Sequence, residues 1–310
     1  MNILIAEPLA APALKLLNNQ PGWNVVVSNP KDFARHLSAS EALIVRSAVA
    51  VDASVLSQAP KLRVIGRAGV GVDNIDLPAA TAAGILVLNT PGGNSVSVAE
   101  HTMALMLSLA RSIPIASAST KSGKWEKRKF VGTELRGKTL GIVGLGSIGR
   151  EVVKRAAAFE MRIIAHDPYV HSQTAKDVGV DLVDLAKLYA DSDYITLHTA
   201  LTPESHHLLS RDAFAKMKPG VRIINCARGE LIDQDALRDA LASGKIGGAA
   251  LDVFEQEPHV HPLLLKLENV VLAPHIASAS IDTRRKMSMV AAENALAALD
   301  GKRPPNLLNP

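Results

Sequence analysis

The sequence contains a single cysteine, Cys226, and only 3% aromatic residues. One cysteine excludes an intramolecular disulfide and a zinc site built from several thiolates. Neither sign of charge dominates, because 34 Lys and Arg face 30 Asp and Glu and leave a net charge of +4 over 310 residues. With 47% hydrophobic residues, that small imbalance excludes a disordered chain. The length corresponds to about two domains.

Long hydrophobic runs are absent as well. The longest charge-free stretch, residues 77–99, contains Pro78, Gly84, Pro91 and Gly92, which is typical of loops rather than of a membrane span. The N-terminus lacks the basic and apolar regions of a signal peptide, so we expect a cytoplasmic protein that binds no membrane. Lys and Arg cluster at residues 121–129, which indicates a solvated loop rather than a nucleic-acid surface. Without an H-E-x-x-H or a G-x-S-x-G motif, we expect neither a metal site nor a serine hydrolase.

Short apolar segments alternate with helical patterns along the whole chain, which is typical of parallel sheets covered on both faces. The predicted strands are residues 3–6, 25–27, 42–45, 64–65, 85–88, 140–143, 162–165, 194–197, 222–225, 249–252 and 270–273. We therefore expect an α/β protein of two Rossmann-like, doubly wound parallel-sheet domains separated by a cleft. The substrate-binding domain is expected at residues 1–94 plus 282–310, because a helical pattern over 283–299 returns the chain to it. The nucleotide-binding domain is expected at residues 95–281.

A glycine-rich motif follows one predicted strand and begins a predicted helix at residues 148–159. Its glycines are Gly144, Gly146 and Gly149 in the pattern G-x-G-x-x-G. These glycines permit the tight turn, the approach of a pyrophosphate and close packing of helix on strand. Asp167 comes eighteen residues after Gly149, just beyond the next strand. A carboxylate there accepts both ribose hydroxyls and repels a 2′-phosphate, so the sequence predicts NAD as cofactor.

Three ionisable residues follow later strands, where open α/β sheets bind their ligands. They are Arg228, Glu257 and His275. Taken one at a time, each residue is more often structural. Together they provide a base for a hydroxyl proton, a carboxylate that orients the base, and a fork that binds a substrate carboxylate. We therefore expect oxidation of a 2-hydroxy acid.

Other candidate residues receive simpler interpretations. His198 ends a predicted strand and is a candidate for lining the nucleotide site. His206 and His207 are expected in an exposed loop with no acid at metal spacing, and His101 is expected to pack against its surroundings or form an interface. Burial as a small packing residue is the favoured interpretation of Cys226.

Several motifs in a fixed order resemble those of the D-isomer-specific 2-hydroxyacid dehydrogenases. They are VRS at 45–47, GRAGVGVDNID at 66–76, GKWE at 123–126, GKTLGIVG at 137–144, NCARG at 225–229 and ALDVF at 250–254. The resemblance covers nearly the whole chain and is strongest to members that oxidise 3-phosphoglycerate. It implies that Arg228, Glu257 and His275 are catalytic.

The resemblance also implies the remaining site residues and the assembly. The implied NAD contacts are Ser147, Ile148, Asp167, Thr199, Cys226, Ala227, Arg228, Asp252 and His275. The implied substrate contacts, besides Arg228 and His275, are Arg46, Arg67, Val70, Gly71 and Asn94. A homodimer is implied, with the arm at residues 121–130 near the partner's site and Lys127 facing a substrate phosphate.

The chain departs from its resemblance at the expected anion site. Val49 and Ala50 stand where close relatives commonly have Thr and Lys, Val70 replaces a Thr, and Ser147 replaces a common Arg. The leading interpretation is NAD-dependent oxidation of 3-phospho-D-glycerate to 3-phosphohydroxypyruvate, the first step of L-serine biosynthesis. The alternatives are a reductase of glyoxylate, hydroxypyruvate or another 2-oxo acid, and an NAD(H)-sensing, corepressor-like binding protein.

Overall fold

In the computed structural model, which describes residues 1–309, the chain divides into two compact units. The first comprises Met1–Asn94 and the chain from Ser278 onward, and the second comprises Ser95–Ala277. The expected second boundary, at residues 281/282, falls instead within the start of the helix Ile281–Leu299. That helix packs inside the first unit from its first turn, where Thr283 and then Met287 are buried. Pro310, which the expected first domain includes, lies outside the described residues.

The described chain contains twelve strands and eleven α-helices. The strands are β1 (Asn2–Ile5), β2 (Asn24–Val27), β3 (Ala42–Val45), β4 (Val64–Arg67), β5 (Leu86–Leu88), β6 (Thr139–Val143), β7 (Arg162–His166), β8 (Asp181–Leu182), β9 (Tyr194–Leu197), β10 (Val221–Asn225), β11 (Ile246–Leu251) and β12 (Val270–Leu272). The helices are α1 (Ala11–Asn18), α2 (Ala53–Ser57), α3 (Leu77–Ala82), α4 (Ser95–Ala110), α5 (Ile113–Lys121), α6 (Ser147–Ala158), α7 (Ser172–Lys176), α8 (Leu185–Asp191), α9 (Arg211–Lys216), α10 (Gln234–Ala242) and α11 (Ile281–Leu299).

The first unit contains a parallel sheet with the strand order β2-β1-β3-β4-β5. Every residue of β3 is buried, because hydrophobic clusters cover the sheet on both faces. Helices α1 and α11 pack together, and α11 also packs on β3, β4 and β5. Gly66 in β4 allows this approach, since a Cβ there would lie 3.4 Å from the Ala291 carbonyl oxygen.

The second unit contains a parallel sheet with the strand order β12-β11-β10-β9-β6-β7-β8. The order reverses between β6 and β9, so β6 lies beside both β7 and β9. Helix α4 packs on α6 and on β10, β11 and β12, while α8, α9 and α10 belong to a second hydrophobic layer. An open parallel sheet of this kind binds ligands beyond the carboxyl ends of its strands, near the point of reversal.

The predicted α/β class with two parallel sheets is confirmed. All eleven predicted strands are present with ends within three residues of the prediction. The two-residue strand β8 was not predicted, because Asp181–Leu182 is too short to produce a hydrophobic period. Strand β11 begins at Ile246 rather than at residue 249. The prediction missed its first residues because Gly247 and Gly248 have no apolar side chains. Across residues 1–309, no helix is long and apolar enough to cross a membrane.

Candidate functional site

The glycine-rich motif forms the turn between β6 and α6. Gly144 has φ of +93°, and a Cβ there would lie 2.6 Å from the His198 carbonyl oxygen. A Cβ on Gly149 would overlap the Gly144 carbonyl oxygen, so that glycine permits α6 to pack against the strand end. By contrast, a Cβ on Gly146 meets nothing within 4 Å. The turn is therefore closed on the protein side and open where a pyrophosphate would approach.

Helix α6 begins directly at this opening. Gly146 is its N-cap, and Ser147 and Ile148 begin its first turn. The first N–H groups of a helix have no acceptor within the helix and carry partial positive charge, so they attract phosphate oxygens. No acidic side chain occupies that first turn. The strand, turn and helix thus fit the diphosphate of a dinucleotide.

Asp167 is the first residue after β7, the strand that pairs with β6. Its Oδ2 accepts the Leu145 N–H at 2.8 Å, and its Oδ1 accepts the Tyr169 N–H at 2.9 Å. These bonds fix the carboxylate beside the glycine-rich turn. A carboxylate has about four acceptor positions, so each oxygen keeps capacity for a ribose hydroxyl. Asp167 therefore has acceptor capacity left for the predicted ribose contact, and that contact stays a prediction.

His198 and Thr199 lie against the turn from β9. The backbone nitrogen of Thr199 is 2.9 Å from the Cβ position of Gly144. Within residues 1–309, His198 Nδ1 is buried without a hydrogen-bond partner, while Nε2 lies 2.9 Å from Thr196 Oγ1. Burial lowers the pKa of His198 to about 3, so the ring is neutral at physiological pH.

Strands β10, β11 and β12 bring the three predicted catalytic residues to one sheet edge. These strands are parallel neighbours, with Asn225 paired to Leu251 and Leu251 paired to Leu272 at their carboxyl ends. Arg228 follows β10, Glu257 follows β11 and His275 follows β12. A spacing of about 4.8 Å between neighbouring strands converts positions far apart in sequence into one site.

His275 and Glu257 form a direct pair. His275 Nδ1 lies 2.7 Å from Glu257 Oε2, and Glu257 Oε1 accepts the Phe254 N–H at 3.1 Å. His275 has φ of +53°, a left-handed conformation stabilised by its N–H bond to the Asp252 carbonyl oxygen at 2.8 Å. Because Nδ1 is paired with the Glu257 carboxylate, Nε2 of the half-exposed ring is the nitrogen that can bind a ligand.

Asp252 has a structural task that the sequence did not reveal. Its fully buried carboxylate accepts the N–H groups of Ile276 and Ala277 at 2.9 and 2.8 Å, immediately after His275. His101 Nε2 approaches Oδ1 to 3.3 Å, so this histidine packs against the carboxylate. Asp252 therefore anchors the turn that carries His275, and its predicted contact with NAD stays a prediction. A lone aspartate directly after a buried strand is the sequence signal that points to such an anchor.

Arg228 lies in a segment held by its neighbours. Asn225 Nδ2 donates to the Arg228 carbonyl oxygen at 2.7 Å, and the Ala227 N–H donates to Asn225 Oδ1 at 3.0 Å. The Arg228 guanidinium donates to the Ala227 carbonyl oxygen at 2.7 Å. Cys226 precedes this segment, and burial raises the pKa of its thiol to about 12, so it packs as a neutral side chain.

The predicted substrate residues of the first unit also follow neighbouring strands. Arg46 follows β3, Arg67 ends β4, and Val70, Gly71 and Asn94 follow in the loops after β4 and β5. The loops are joined, because the Thr90 N–H donates to the Gly69 carbonyl oxygen at 2.9 Å. Val45 pairs with Arg67 in register, which places both arginines at one edge of this sheet.

Two residues that sequence reasoning missed hold the Arg46 loop. The buried Glu7 accepts the N–H groups of Arg46, Ala48 and Val49 through Oε1 at 2.8, 3.1 and 3.1 Å. Asn74 Nδ2 donates to the carbonyl oxygens of Arg46 and Val49 at 2.9 and 2.7 Å. A glutamate two residues after β1, next to a run of apolar residues, was the available signal, since a buried carboxylate requires partners.

The arm at residues 121–130 and the paired histidines complete the set of candidates. The arm's side chains are exposed except that of Phe130, and Lys129 pairs with Glu268 at 3.1 Å. His206 is exposed as expected. The expectation was wrong for His207, which is half-buried with Nε2 2.6 Å from Glu255 Oε1. Glu255 lies 48 residues further along the chain, so no local spacing reveals the pair.

No cluster of three or more potential metal ligands occurs in the part of the chain that the structure describes.

Comparison with known proteins identifies relatives of the whole chain. Residues 103–277 match the family model for the NAD binding domain of D-isomer specific 2-hydroxyacid dehydrogenases. A D-3-phosphoglycerate dehydrogenase of Archaeoglobus fulgidus is 46% identical over 314 residues, which cover 100% of this chain and 59% of that protein. This chain therefore spans somewhat more than half the length of that relative.

Solved structures agree with the architecture. The TT0316 protein from Thermus thermophilus superposes with a TM-score of 0.91 at 38% identity, covering 99% of this chain and 100% of that one. A glyoxylate reductase from Paecilomyes thermophila superposes with a TM-score of 0.88 at 32% identity, covering 99% and 97%. The match at residues 103–277 and the geometry of the glycine-rich turn together support NAD as the cofactor.

Proposed function

This chain belongs to the D-isomer specific 2-hydroxyacid dehydrogenases, and we propose that it oxidises 3-phospho-D-glycerate to 3-phosphohydroxypyruvate with NAD, the first step of L-serine biosynthesis. The observation that carries the proposal is the 2.7 Å pair of His275 and Glu257 at the sheet edge that also carries Arg228. The similarity to a D-3-phosphoglycerate dehydrogenase supports the choice of substrate.

Each catalytic side chain has one task in this reaction. His275 Nε2 receives the proton of the substrate's C2 hydroxyl, while Glu257 holds Nδ1 and stabilises the imidazolium that forms. Arg228 binds the substrate carboxylate and polarises the C2 oxygen as it becomes a carbonyl. The chemistry that NAD supplies when bound at the glycine-rich turn is acceptance of the hydride from C2.

The proposed NAD contacts are those at the turn, at Asp167 and at the ends of β9, β10, β11 and β12. Gly144, Gly146, Ser147, Ile148 and Gly149 would face the diphosphate, and Asp167 the ribose. Thr199, Cys226, Ala227, Arg228, Asp252 and His275 complete the proposed set. Replacing Asp167 with Ala should relax the preference for NAD over NADP, because the carboxylate repels a 2′-phosphate. If the variant prefers NAD over NADP as strongly as the wild type does, Asp167 does not have this role.

The proposed substrate contacts supply positive charge for an acid with two anionic groups, a carboxylate and a phosphate. Arg46 and Arg67 follow neighbouring strands, and the backbone at Val70 and Gly71 lies in the same loop system. Asn94 Oδ1 is buried and lacks a hydrogen-bond partner within residues 1–309, so it is available to a substrate hydroxyl. Lys127 of a partner subunit is proposed to face the phosphate.

A homodimer belongs to the same proposal. Helix α5 buries none of its residues, and Ile113 at its start is 49% exposed. Trp125 in the arm is 85% exposed. These exposed apolar side chains are accessible to a second subunit, and the dimer itself is inferred from the resemblance to the family. Light scattering of the purified protein tests the dimer, and a monomer at micromolar concentration would contradict it. A cytoplasmic location is also proposed, and cell fractionation tests it.

A reductase of glyoxylate or hydroxypyruvate is the second candidate function. The observation in its favour is the apolar character of Val49, which is buried in the Arg46 loop, and of Val70. Neither side chain donates a hydrogen bond to a phosphate. The similarity to a glyoxylate reductase at 32% identity supports this alternative.

A substrate panel separates the candidates. Among 3-phosphoglycerate, glycerate and lactate, we expect 3-phosphoglycerate with NAD to give the highest kcat/KM. We also expect this kcat/KM to exceed that for the reduction of glyoxylate with NADH. Preference for unphosphorylated acids would favour the reductase. Tight NADH binding with no turnover of any acid would favour an NAD(H)-sensing protein.

If the anion site is as proposed, the double variant Arg46→Ala, Lys127→Ala loses the preference for the phosphorylated acid.

A further inference from the structure

His207 joins the two segments that carry Arg228 and Glu257. Its backbone N–H donates to the Glu230 carbonyl oxygen at 2.8 Å, two residues after Arg228. Its side-chain Nε2 lies 2.6 Å from Glu255 Oε1, two residues before Glu257. One residue outside the catalytic set is thus bonded to both segments.

The same two segments also touch each other through their backbones. A Cβ on Gly229 would overlap the carbonyl group of Phe254 and the nitrogen of Glu255. The Phe254 N–H in turn donates to Glu257 Oε1 at 3.1 Å. The position of the Glu257 carboxylate is therefore tied to the residues that His207 holds.

The conformation of His207 is unusual for an ordinary loop residue. Its φ of +49° lies in the left-handed region, which non-glycine residues adopt rarely and at a cost of about 1 kcal/mol or more. The ring of His206 stacks on it with centroids 4.0 Å apart. Backbone strain of this kind persists where surrounding contacts determine the conformation, and here those contacts lead to the catalytic segments.

We propose that His207 and Glu255 are positioning residues that fix Arg228 and Glu257 relative to each other, and through Glu257 fix the ring of His275. The inference rests on the proposed dehydrogenase function of those three residues. Small displacements of catalytic groups reduce rates severely, so a bond that determines their separation controls kcat. Neither positioning side chain belongs to the glycine-rich turn that would hold the diphosphate, so the dissociation constant of NADH is expected to change far less than kcat.

Variants of Glu255 and His207 test whether the hydrogen bond between these side chains positions the catalytic residues. Glu255→Ala removes the acceptor for His207, and we expect kcat to fall roughly tenfold or more with little change in the dissociation constant of NADH. Glu255→Gln keeps an oxygen that accepts a bond from Nε2–H, and we expect it to recover most of the lost rate. His207→Asn tolerates the positive φ but is too short to reach Glu255, so it should behave like Glu255→Ala.

A glutamate of the same loop provides the matched control. Glu204→Ala removes an exposed carboxylate that contacts neither His207 nor Glu255, and we expect wild-type kcat. Thermal unfolding of each variant confirms that the compared proteins are folded. Equal kcat in Glu255→Ala and wild type, or an equal loss in Glu204→Ala, would overturn the proposal.

A spectroscopic measurement makes the inference independent of turnover. The ¹H–¹⁵N signal of the Nδ1 proton of His275, assigned with the variant His275→Gln, reports the bond to Glu257. We expect this signal in the wild type and its broadening or loss in Glu255→Ala and His207→Asn, but not in Glu204→Ala. If the protein turns over no hydroxy acid yet shows this pattern, the proposed function fails and the positioning role stands. An unchanged signal in both variants defeats the positioning role.

Discussion

At the scale of single residues, the bond between Glu257 and His275 determines which nitrogen meets a substrate. Glu257 Oε2 lies 2.7 Å from His275 Nδ1. The Phe254 N–H donates to Glu257 Oε1, and this second bond fixes the orientation of the carboxylate. Asp252 holds the residues that follow His275, so the ring is oriented from both sides.

Replacing His275 with Ala tests its role as the base. We expect kcat/KM to fall about 10²- to 10⁴-fold, or about 3–5 kcal/mol of transition-state stabilisation, because the hydroxyl proton loses its acceptor. NADH should still bind, since the glycine-rich turn is unaffected, and fluorescence titration measures this. A variant with wild-type turnover would exclude His275 as the base.

His198 leads to a prediction about acid stability. Its pKa is lowered to about 3 by burial, against an ordinary value of about 6.5, so the folded state resists protonation that the unfolded chain accepts. The stabilisation is present above about pH 6.5 and is lost as the pH falls towards 3. As the pH is lowered, we expect the unfolding free energy of the wild type to fall more steeply than that of His198→Gln, by up to about 1.4 kcal/mol per pH unit.

Urea unfolding at a series of pH values between 7 and 4 measures this difference. His206→Gln is the control, because His206 is exposed. Parallel slopes for wild type and His198→Gln would contradict the burial of a neutral ring.

At the scale of elements, the ends of parallel strands supply the candidate site residues, and carboxylates shape the loops that follow them. Glu7 follows β1 and organises the loop after β3, as Asp252 follows β11 and organises the turn after β12. In both cases a buried acceptor satisfies backbone N–H groups that a tight loop cannot pair internally. These hydrogen bonds fix the backbone of both loops.

Glu7→Ala should loosen the Arg46 loop. Three backbone N–H groups lose their acceptor, so we expect about 1–3 kcal/mol less stability and a KM for the hydroxy acid raised about tenfold. The dissociation constant of NADH should not change. Glu41→Ala is the matched control, because Glu41 accepts the Asn2 N–H at the start of the same sheet. A similar KM increase in both variants would indicate general destabilisation rather than a role for the Arg46 loop.

At the scale of the whole molecule, one unit is inserted into the sequence of the other. Ser95–Ala277 is continuous, whereas the first unit is completed by the chain from Ser278 onward. Each unit has its own parallel sheet and its own buried clusters.

A fragment of residues 95–277 tests this independence. It contains the whole glycine-rich turn, Asp167 and the three catalytic residues, so we expect it to fold and bind NADH with an affinity near that of the full chain. It should not oxidise a hydroxy acid, because Arg46 and Arg67 are missing. Circular dichroism and NADH fluorescence measure both properties. A folded fragment without NADH binding would show that the cofactor needs residues of the first unit.

The amino-acid sequence by itself determined the class of fold, the nucleotide turn and the catalytic candidates. Each of these follows from local information: apolar runs flanked by turns for the strands, three glycines within six residues for the turn, and ionisable residues just after strands for the site. Interactions between neighbours in the chain produce such patterns, so they can be read without coordinates.

The tertiary structure alone decided which side chains hold those residues in place. Glu7 reaches the Arg46 loop across 39 residues, and His207 reaches Glu255 across 48. Such pairs depend on parallel crossovers that bring distant strand ends to one edge, and no sequence period encodes them.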